Sequence, residues 1–269
     1  MVSAIVSLGG IGLVFGIILA VASQIFYVEK DPKVEAIADM LPSANCGACG
    51  YPGCNKFAEE LVSGDAGITD CAPGGDELAG QIADLLGVSA AKSEEEYVAE
   101  VLCMGGREYC EEQFIYHGIE DCRAAMMYAN GFKACDYGCL GLGTCKEECL
   151  FGAIEMGDNG IPIVNPEKCT GCNRCVNVCP KDVIRMINKK TKFHVRCNNQ
   201  DKGKIARKVC KVGCIGCKKC AKNCPEEAIT VENNLAYIDS HKCTNCGQCK
   251  DECPRDCITD TLDWPSKAL

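Results

Sequence analysis

The sequence predicts an α+β protein with one N-terminal transmembrane helix, a small helical domain and two tandem β/α modules. Three observations predict this class. Residues 2–28 carry no charge, 26 of the 269 residues are cysteines, and the second half of the chain alternates cysteine runs with short β-type segments. The cysteines are grouped in C-x2-C runs, which indicate shared metal sites and not disulfides. Thiolate ligands in turn favour a reducing compartment.

The first element is the apolar segment "VSAIVSLGGIGLVFGIILAVASQIFYV" at 2–28. A membrane span needs about 20 apolar residues, so this segment is long enough to cross a bilayer. The rival interpretation is a cleaved signal peptide, because "AVAS" offers a cleavage-like site, but no basic residue precedes the apolar run. Lys30 and Lys33 follow it, and the positive-inside rule then predicts a single-pass protein of the cytoplasmic membrane, with its soluble part in the cytoplasm. We assign residues 1–28 to this anchor.

The second element is a small helical domain at 29–88 that surrounds a cysteine motif. Asp31 and Pro32 are typical of an N-cap and a first helical residue, and they predict a helix to about Leu41. The segments "CNKFAEELVSG" and "GGDELAGQIADLLGV" predict two further helices. Four cysteines of this domain share a glycine-rich setting and the spacing C-x2-C-x4-C-x16-C: Cys46, Cys49, Cys54 and Cys71. This set suits one [4Fe-4S] cluster, with a structural zinc ion as the alternative.

The third element, at 89–134, is predicted to be a linker and insert, because "SAAKSEEEY" is polar and acidic. The segment "VAEVLC" within it predicts a strand. From residue 135 onward, cysteine clusters alternate with β-type segments at 161–164, 183–187, 193–195, 228–231 and 236–238. Segments 139–187 and 214–262 are two copies of one repeat. The sequence therefore predicts a first module at 135–197, a second module at 198–262 and a tail at 263–269.

One cysteine run defines both modules. Cys169-x2-Cys172-x2-Cys175-x3-Cys179-Pro180 recurs with the same spacing from Cys214 and again from Cys243. This is the run of bacterial ferredoxins, in which the first three cysteines bind one [4Fe-4S] cluster and the fourth binds the neighbouring cluster. Zinc ribbons use isolated C-x2-C pairs, so zinc fits this pattern poorly. Each module is therefore expected to be bacterial-ferredoxin-like.

Four related stretches accompany these runs: "CLFGAI", "CPKDVI", "CPEEAI" and "CPRDCI". Each begins with the cysteine that is expected to cross to the other cluster, and these are Cys149, Cys179, Cys224 and Cys253. We expect the small residue and the isoleucine that follow to pack back toward the clusters and to start a strand.

The repeat predicts five ligand sets. They are Cys46, Cys49, Cys54 and Cys71; Cys135, Cys139, Cys145 and Cys179; Cys149, Cys169, Cys172 and Cys175; Cys214, Cys217, Cys220 and Cys253; and Cys224, Cys243, Cys246 and Cys249. The second set is irregular, because Leu142 stands where the other copy has Cys217. Cys135 is the nearest replacement.

Six cysteines remain outside these sets. Cys257 matches the small apolar residue Ala228 and is predicted to pack in a core, and Cys110 has no assigned role. Two interpretations stay open for the other four, a sixth cluster or scattered buried thiols, and these are Cys103, Cys122, Cys197 and Cys210.

No residue set is typical of a self-contained catalytic centre. "GCLGLG" lacks the G-x-G-x-x-G order of a nucleotide loop, so we expect no flavin or NAD site in this chain. The histidines His117, His194 and His241 lie apart and are predicted to be surface residues. The net charge of −9 argues against nucleic acid as a partner. Closely spaced [4Fe-4S] clusters predict one-electron transfer along the chain.

One segment is basic within this acidic chain. Residues 181–222 hold 14 Lys and Arg against Asp182 and Asp201. The excess has two interpretations: compensation for negatively charged clusters, or a docking face for a small acidic electron carrier.

The sequence resembles the RnfB family, the polyferredoxin subunits of Rnf complexes, in the extended form of anaerobic bacteria. The resemblance is carried by the N-terminal anchor, "NCGACGYPGC" with "CAPGG", "YGCLGLGTC" and the C-terminal double ferredoxin, and it covers essentially the whole chain. It implies an electron-transfer subunit of a membrane-bound, ion-translocating ferredoxin:NAD+ oxidoreductase. It further implies that soluble ferredoxin donates the electrons, that other membrane subunits carry the flavin and NAD sites, and that Na+ or H+ is moved outward.

Two other functions stay open at this stage. One is a membrane-anchored polyferredoxin that serves a hydrogenase or another reductase. The other is an iron-sulfur redox sensor, although a sensor seldom needs five or six clusters.

Overall fold

The computed structural model describes residues 2–26, 31–89 and 95–260, with side chains described from residue 9 onward. Lys30, on which the predicted orientation partly rests, and the predicted tail at 263–269 lie outside the described residues. The helices are α1 (Val2–Ile25), α2 (Pro32–Met40), α3 (Cys54–Ser63), α4 (Gly75–Leu86), α5 (Cys122–Met126), α6 (Thr144–Glu147), α7 (Arg174–Val178), α8 (Gly203–Val209), α9 (Lys219–Lys222) and α10 (Gln248–Asp251). The strands are β1 (Tyr97–Val101), β2 (Ile154–Met156), β3 (Pro162–Val164), β4 (Ile184–Asn188), β5 (Phe193–Val195), β6 (Ile229–Glu232), β7 (Leu235–Ile238) and β8 (Ile258–Asp260).

Helix α1 is an uncharged helix, and its described large apolar side chains are exposed, among them Leu19 and Ile25. Within the residues that the structure describes, no helix is both long and apolar enough to cross a membrane. The predicted transmembrane helix is therefore not confirmed.

The helical domain begins as predicted. The Asp31 carboxylate accepts a hydrogen bond from the Lys33 backbone N–H at 2.8 Å, and Pro32 opens α2. Helices α3 and α4 end where Gly64 and Gly87 adopt left-handed conformations, with φ of +84° and +72°. Glycine reaches that region without steric strain, so both residues act as C-terminal stops.

The same domain packs its three helices around one apolar core. The side chains of Ile37 in α2, Phe57 and Leu61 in α3, and Ile82 in α4 are buried against one another. The cysteines Cys49, Cys54 and Cys71 pack at the border of this core. The helices therefore hold the cysteine-bearing loops against a rigid base.

The strands of the described residues pair as antiparallel two-stranded sheets: β1 with β4, β2 with β3, β5 with β8, and β6 with β7. Residues 97–101 lie opposite 184–188, and residues 193–195 lie opposite 258–260. Each half of the polyferredoxin region thus combines one short hairpin with one sheet between distant segments. This pairing crosses both predicted module boundaries, at 134/135 and 197/198.

The four repeated stretches lead into equivalent strands. Their isoleucines, Ile154, Ile184, Ile229 and Ile258, are the first residues of β2, β4, β6 and β8, so the predicted strand starts are confirmed. The small residue before each isoleucine is at most 3% exposed, and these residues are Ala153, Val183, Ala228 and Cys257. Each stretch therefore carries its partly buried cysteine on a turn between a short helix and a strand.

The interiors of the two modules contain few large side chains. In the first, Ile161 and Ile184 pack against the thiols of Cys139, Cys145 and Cys175. In the second, Leu235 and Ile258 pack with an equivalent group of cysteines, among them Cys214, Cys220 and Cys249. The cysteines thus form part of each core.

Candidate iron-sulfur sites

The N-terminal motif surrounds a small cavity. All four predicted ligands line it: Cys46, Cys49, Cys54 and Cys71. The Asn45 side-chain oxygen accepts a hydrogen bond at 2.9 Å from the Cys54 backbone N–H, which fixes the loop to the start of α3. Phe57 lines the cavity and is 1% exposed. Four soft thiols above an apolar base fit one [4Fe-4S] cluster.

The first module has a small cavity lined in part by Ala99 of β1 and Met186 of β4. Its lining includes the whole predicted set Cys149, Cys169, Cys172 and Cys175. The backbone N–H of Ala99 donates to Cys169 Sγ at 3.4 Å, and that of Ala153 donates to Cys149 Sγ at 3.3 Å. Such hydrogen bonds stabilise the thiolate form that iron requires.

The second module has a corresponding small cavity. It is lined by the predicted set Cys214, Cys217, Cys220 and Cys253. Cys257 also lines it, with its sulfur 3.6 Å from Cys253 Sγ, and it is 2% exposed. The predicted core position of Cys257 is thus confirmed, and the residue also contacts the cavity.

The other site of the second module gathers the last cysteine run. Burial, followed by the nearby thiols of Cys243, Cys220 and Cys246, raises the pKa of Cys249 to about 12. Cys224, the fourth predicted ligand, accepts a hydrogen bond from the Ala228 N–H at 3.4 Å, as Cys149 does from Ala153. Cys220 and Cys249 belong to different sites, so these two sites are neighbours.

The irregular site of the first module contains one cysteine that was not predicted there. Burial, followed by the thiols of Cys122, Cys179 and Cys175, raises the pKa of Cys145 to about 12. The Cys122 thiol likewise acts on Cys139 and Cys179. The structure therefore brings Cys122 together with Cys139, Cys145 and Cys179. Helix α5 begins at Cys122, whose N–H donates to Thr144 Oγ1 at 2.7 Å.

Cys135 lies elsewhere, in a small cavity between the two modules, here called the central cavity. Five cysteines line it: Cys103, Cys110, Cys135, Cys197 and Cys210. Burial raises the pKa of Cys135 to about 12. Compared with the predicted groupings, Cys122 and Cys135 have exchanged places, and Cys110 has joined the central group.

The central cavity has internal two-fold character. The Cys139 N–H donates to Cys103 Sγ at 3.4 Å, and the Cys214 N–H donates to Cys197 Sγ at 3.2 Å. Cys135 precedes Cys139 by the same spacing that separates Cys210 from Cys214. Cys103, Cys135, Cys197 and Cys210 therefore form two equivalent pairs, one pair on the N-terminal side of each copy of the repeat.

Cys110 stands outside this symmetry. Its thiol donates a weak hydrogen bond to the Glu111 carbonyl at 3.8 Å, and its backbone forms a β-bridge with Cys210. The sequence contained a signal for the symmetric set, namely a β-type segment before Cys103 and before Cys197. It contained no such signal for Cys122.

The described residues include no group of three or more His, Cys, Asp or Glu side chains close enough together to hold a single metal ion. One histidine prediction is wrong. His194 is 8% exposed, its Nε2 lies 2.7 Å from the Thr191 carbonyl oxygen, and burial lowers its pKa. His117 and His241 are exposed, as predicted.

Family models match three parts of the chain: an Fe-S cluster family at residues 41–73, the 4Fe-4S binding domain at 162–185 and the 4Fe-4S dicluster domain at 213–257. Together with the cysteine-lined cavities, these matches define an iron-sulfur protein of the ferredoxin-like class.

Sequence comparison with related proteins identifies the family within this class. The chain is 48% identical over 236 residues to the B subunit of the Na+-translocating ferredoxin:NAD+ oxidoreductase complex of Acetobacterium woodii, covering 88% of this chain and 71% of the relative. It is 45% identical to the B subunit of the ion-translocating oxidoreductase complex of Methanosarcina acetivorans, over 91% of this chain and 92% of the relative. It is 44% identical to the B subunit of the proton-translocating ferredoxin:NAD+ oxidoreductase complex of Clostridium ljungdahlii, over 87% and 82%. The chain belongs to the RnfB family, the B subunits of ion-translocating (Rnf) oxidoreductase complexes.

Proposed function

We propose that this chain receives electrons from reduced ferredoxin at its second module and passes them through its clusters to the membrane subunits that reduce NAD+. As a member of the RnfB family, the chain is an electron-transfer subunit of an ion-translocating ferredoxin:NAD+ oxidoreductase. The observation that carries the proposed route is the proximity of thiols from neighbouring sites, since Cys145 is close to Cys175 and Cys220 is close to Cys249. Electron transfer between clusters requires this closeness.

Six [4Fe-4S] clusters fit the thiol groups better than five. The proposed ligands are Cys46, Cys49, Cys54 and Cys71; Cys122, Cys139, Cys145 and Cys179; Cys149, Cys169, Cys172 and Cys175; Cys103, Cys135, Cys197 and Cys210; Cys214, Cys217, Cys220 and Cys253; and Cys224, Cys243, Cys246 and Cys249. When bound, each cluster accepts and releases one electron. Iron and sulfide analysis of anaerobically purified protein tests the number, because six clusters give about 24 iron atoms per chain and five give about 20.

The chain's own residues hold the thiolates and exclude water. Backbone N–H groups point at ligand sulfurs in both modules, as from Ala99 to Cys169 and from Cys214 to Cys197. Burial, N–H···S bonds and local charge are the means by which a protein sets a cluster potential. The sites therefore differ in potential according to their surroundings.

The second module offers the better surface for an incoming ferredoxin. Cys217 is exposed just before α9, next to the exposed side chains of Lys218, Lys219 and Lys222. Helix α8 adds three exposed cations around Ile205, which is 49% exposed, and these are Lys204, Arg207 and Lys208. A positive surface around an accessible ligand favours docking of an acidic carrier and speeds its association.

The opposite end of the route is the N-terminal site. A cleft is lined by Cys71 of that site and by Cys169 of the first module. This arrangement supports a route from the second module through the central cavity and the first module to the N-terminal cluster. That cluster would then reduce the membrane subunits.

Membrane attachment is also part of the proposal. Helix α1 is uncharged over 24 residues, and its described large apolar side chains are exposed. We infer that the uncharged segment at 2–28, which includes α1, anchors the chain in the cytoplasmic membrane as a single pass, with the iron-sulfur domains in the cytoplasm. Extraction of membranes with alkaline carbonate tests this point: the full chain should remain in the pellet, and a chain lacking residues 1–28 should be released.

The central experiment compares membranes from cells with and without this chain. Reduced ferredoxin should reduce NAD+ in the first membranes, and the rate should fall to background in the second. An unchanged rate would contradict the proposal. Copurification of a hydrogenase in place of flavin-bearing membrane subunits would favour the alternative of a polyferredoxin serving another reductase.

A further inference from the structure

The third residue differs among the four repeated stretches. Two stretches place a cation there, Lys181 after Cys179-Pro180 and Arg255 after Cys253-Pro254. The other two place Phe151 and Glu226 at the same position. The two cations occupy equivalent positions in the two copies of the repeat.

Lys181 binds the loop that carries one ligand of the central cavity. It is 7% exposed, and its ammonium group donates to the carbonyl of Asn130 and, at 2.7 Å, to that of Asp136. Asp136 directly follows Cys135. The Cys135 thiol is close enough to Lys181 to interact with its charge.

Arg255 binds the equivalent loop of the second module. Its guanidinium group donates to the Cys210 carbonyl at 2.6 Å and to the Gly213 carbonyl at 3.3 Å. The Arg255 charge acts on the Cys210 thiol. Each of the two cations thus holds a loop that presents one thiol to the central cavity.

Two more polar groups, from Lys133 and Asn199, place positive charge or a hydrogen-bond donor near the thiols of the central cavity. Lys133 is 4% exposed, donates to the Gly105 carbonyl at 2.7 Å, and lies near Cys110 and Cys139. The Asn199 side-chain amide donates to Cys135 Sγ at 3.2 Å, and Asn199 is 2% exposed. Positive charge and hydrogen bonds to sulfur both favour the reduced, more negative state of a cluster.

Carboxylates near the central cavity do not cancel this effect. Glu100 forms a buried ion pair with Arg196, so that pair adds little net charge. Asp136 and Asp182 are exposed, and water and salt screen exposed charges far more than buried ones. The buried and half-buried cations therefore dominate the field at this site.

We propose that Lys181, Arg255 and Lys133 raise the reduction potential of a cluster bound in the central cavity above the potentials of the neighbouring sites. The inference rests on the proposed sixth cluster. One electron arrives from a site of the second module, stays at the central site, and leaves to a site of the first module, with no proton or covalent bond exchanged. The three cations act through the cluster's environment and are positioning residues.

The test is an EPR-monitored redox titration of the full chain, purified anaerobically. In Lys181→Gln and in Arg255→Gln, one midpoint potential should shift to a lower value, and the double variant should shift the same signal further. Lys181→Arg keeps the charge and should restore most of the original midpoint. Glu226→Gln changes the charge at the equivalent exposed position by one unit in the opposite direction and should leave every midpoint unchanged.

Iron analysis of the same samples separates the two proposals. About 24 iron atoms per chain with no shift in either cation variant would overturn this inference and leave the proposed function standing. About 20 iron atoms in the unaltered protein would remove the central cluster and this inference with it. If Lys181→Gln loses iron, Arg255→Gln and Lys133→Met decide between the outcomes, because the proposal requires both variants to lower the same midpoint. Arg255 is half-buried, and Lys133 lies outside the repeated stretches.

Discussion

The two ferredoxin-like modules share one repeat but differ in how far they expose their ligands. In the second module Cys217 and Cys246 are exposed. In the first module, Leu142 stands at the position equivalent to Cys217. Cys172 stands at the position equivalent to Cys246 and is only partly exposed. Leu142 packs on the buried residues Phe132 and Leu140.

The difference arises from the insert before the first module. The insert places the Cys122 thiol near Cys145, and it packs Phe132 against Leu142. The position equivalent to the exposed Cys217 is thus covered in the first module, while a fourth thiol still lies near Cys145. The second module is therefore suited to exchange electrons with a soluble partner, whereas the first is suited to pass electrons within the chain.

The largest expected effect is removal of the exposed ligand in the second module. Cys217→Ser should lose about four iron atoms per chain and lower ferredoxin-dependent reduction at least about tenfold, because the site is the proposed electron acceptor. Leu142→Ala alters the equivalent position in the first module and should retain the iron. Iron analysis and stopped-flow reduction by ferredoxin check both results. Equal iron loss in the two variants would contradict the contrast between the modules.

Removal of the insert's ligand should disrupt the enclosed site. Cys122→Ser should lose about four iron atoms per chain, since it removes one of four thiolates. Cys110→Ser is the matched control, because Cys110 stands outside the symmetric set, and it should keep the full iron content. Full iron in Cys122→Ser would restore Cys135 as the ligand of this site.

Charge reversal on each module in turn tests their surfaces separately. Lys218→Glu with Lys219→Glu should slow ferredoxin association about tenfold at low salt, and the deficit should shrink at about 1 M salt. Lys146→Glu with Lys168→Glu makes the same change of charge on the first module and should have little effect. Stopped-flow rates over a range of salt concentrations measure both. Identical slowing in both double variants would show that only total charge matters.

The smallest effect concerns the equivalent cores. Ile184→Val and Ile258→Val each remove one methyl group from a residue that is 2% exposed. Each should cost about 1 kcal/mol and lower the melting temperature by about 2–4 °C. Thermal loss of the cluster absorbance is the measurement. A much larger loss in one variant would show that the two copies are not packed alike.

The sequence was sufficient to predict the features that depend on the spacing of nearby residues, namely strand starts and most cysteine sets. Four isoleucines mark four strand starts, and the cysteines of three predicted sets line three cavities. The sequence was insufficient where distant segments meet. Which of Cys122 and Cys135 joins the irregular site of the first module depends on how the insert folds back onto that module. The spacing of cysteines along the sequence does not predict this fold. His194 is buried because β5 pairs with β8, a strand more than sixty residues away.

That pairing has a consequence for biosynthesis. Residues 193–195 find their partner only at residues 258–260, so β5 stays unpaired until translation is almost complete. The Arg196 N–H, next to Cys197, donates to the Cys257 carbonyl at 2.7 Å, so one wall of the central cavity is completed only by this late pairing. The helical domain and its thiols are synthesised far earlier. The order of synthesis therefore favours folding of the helical domain before the central cavity is closed.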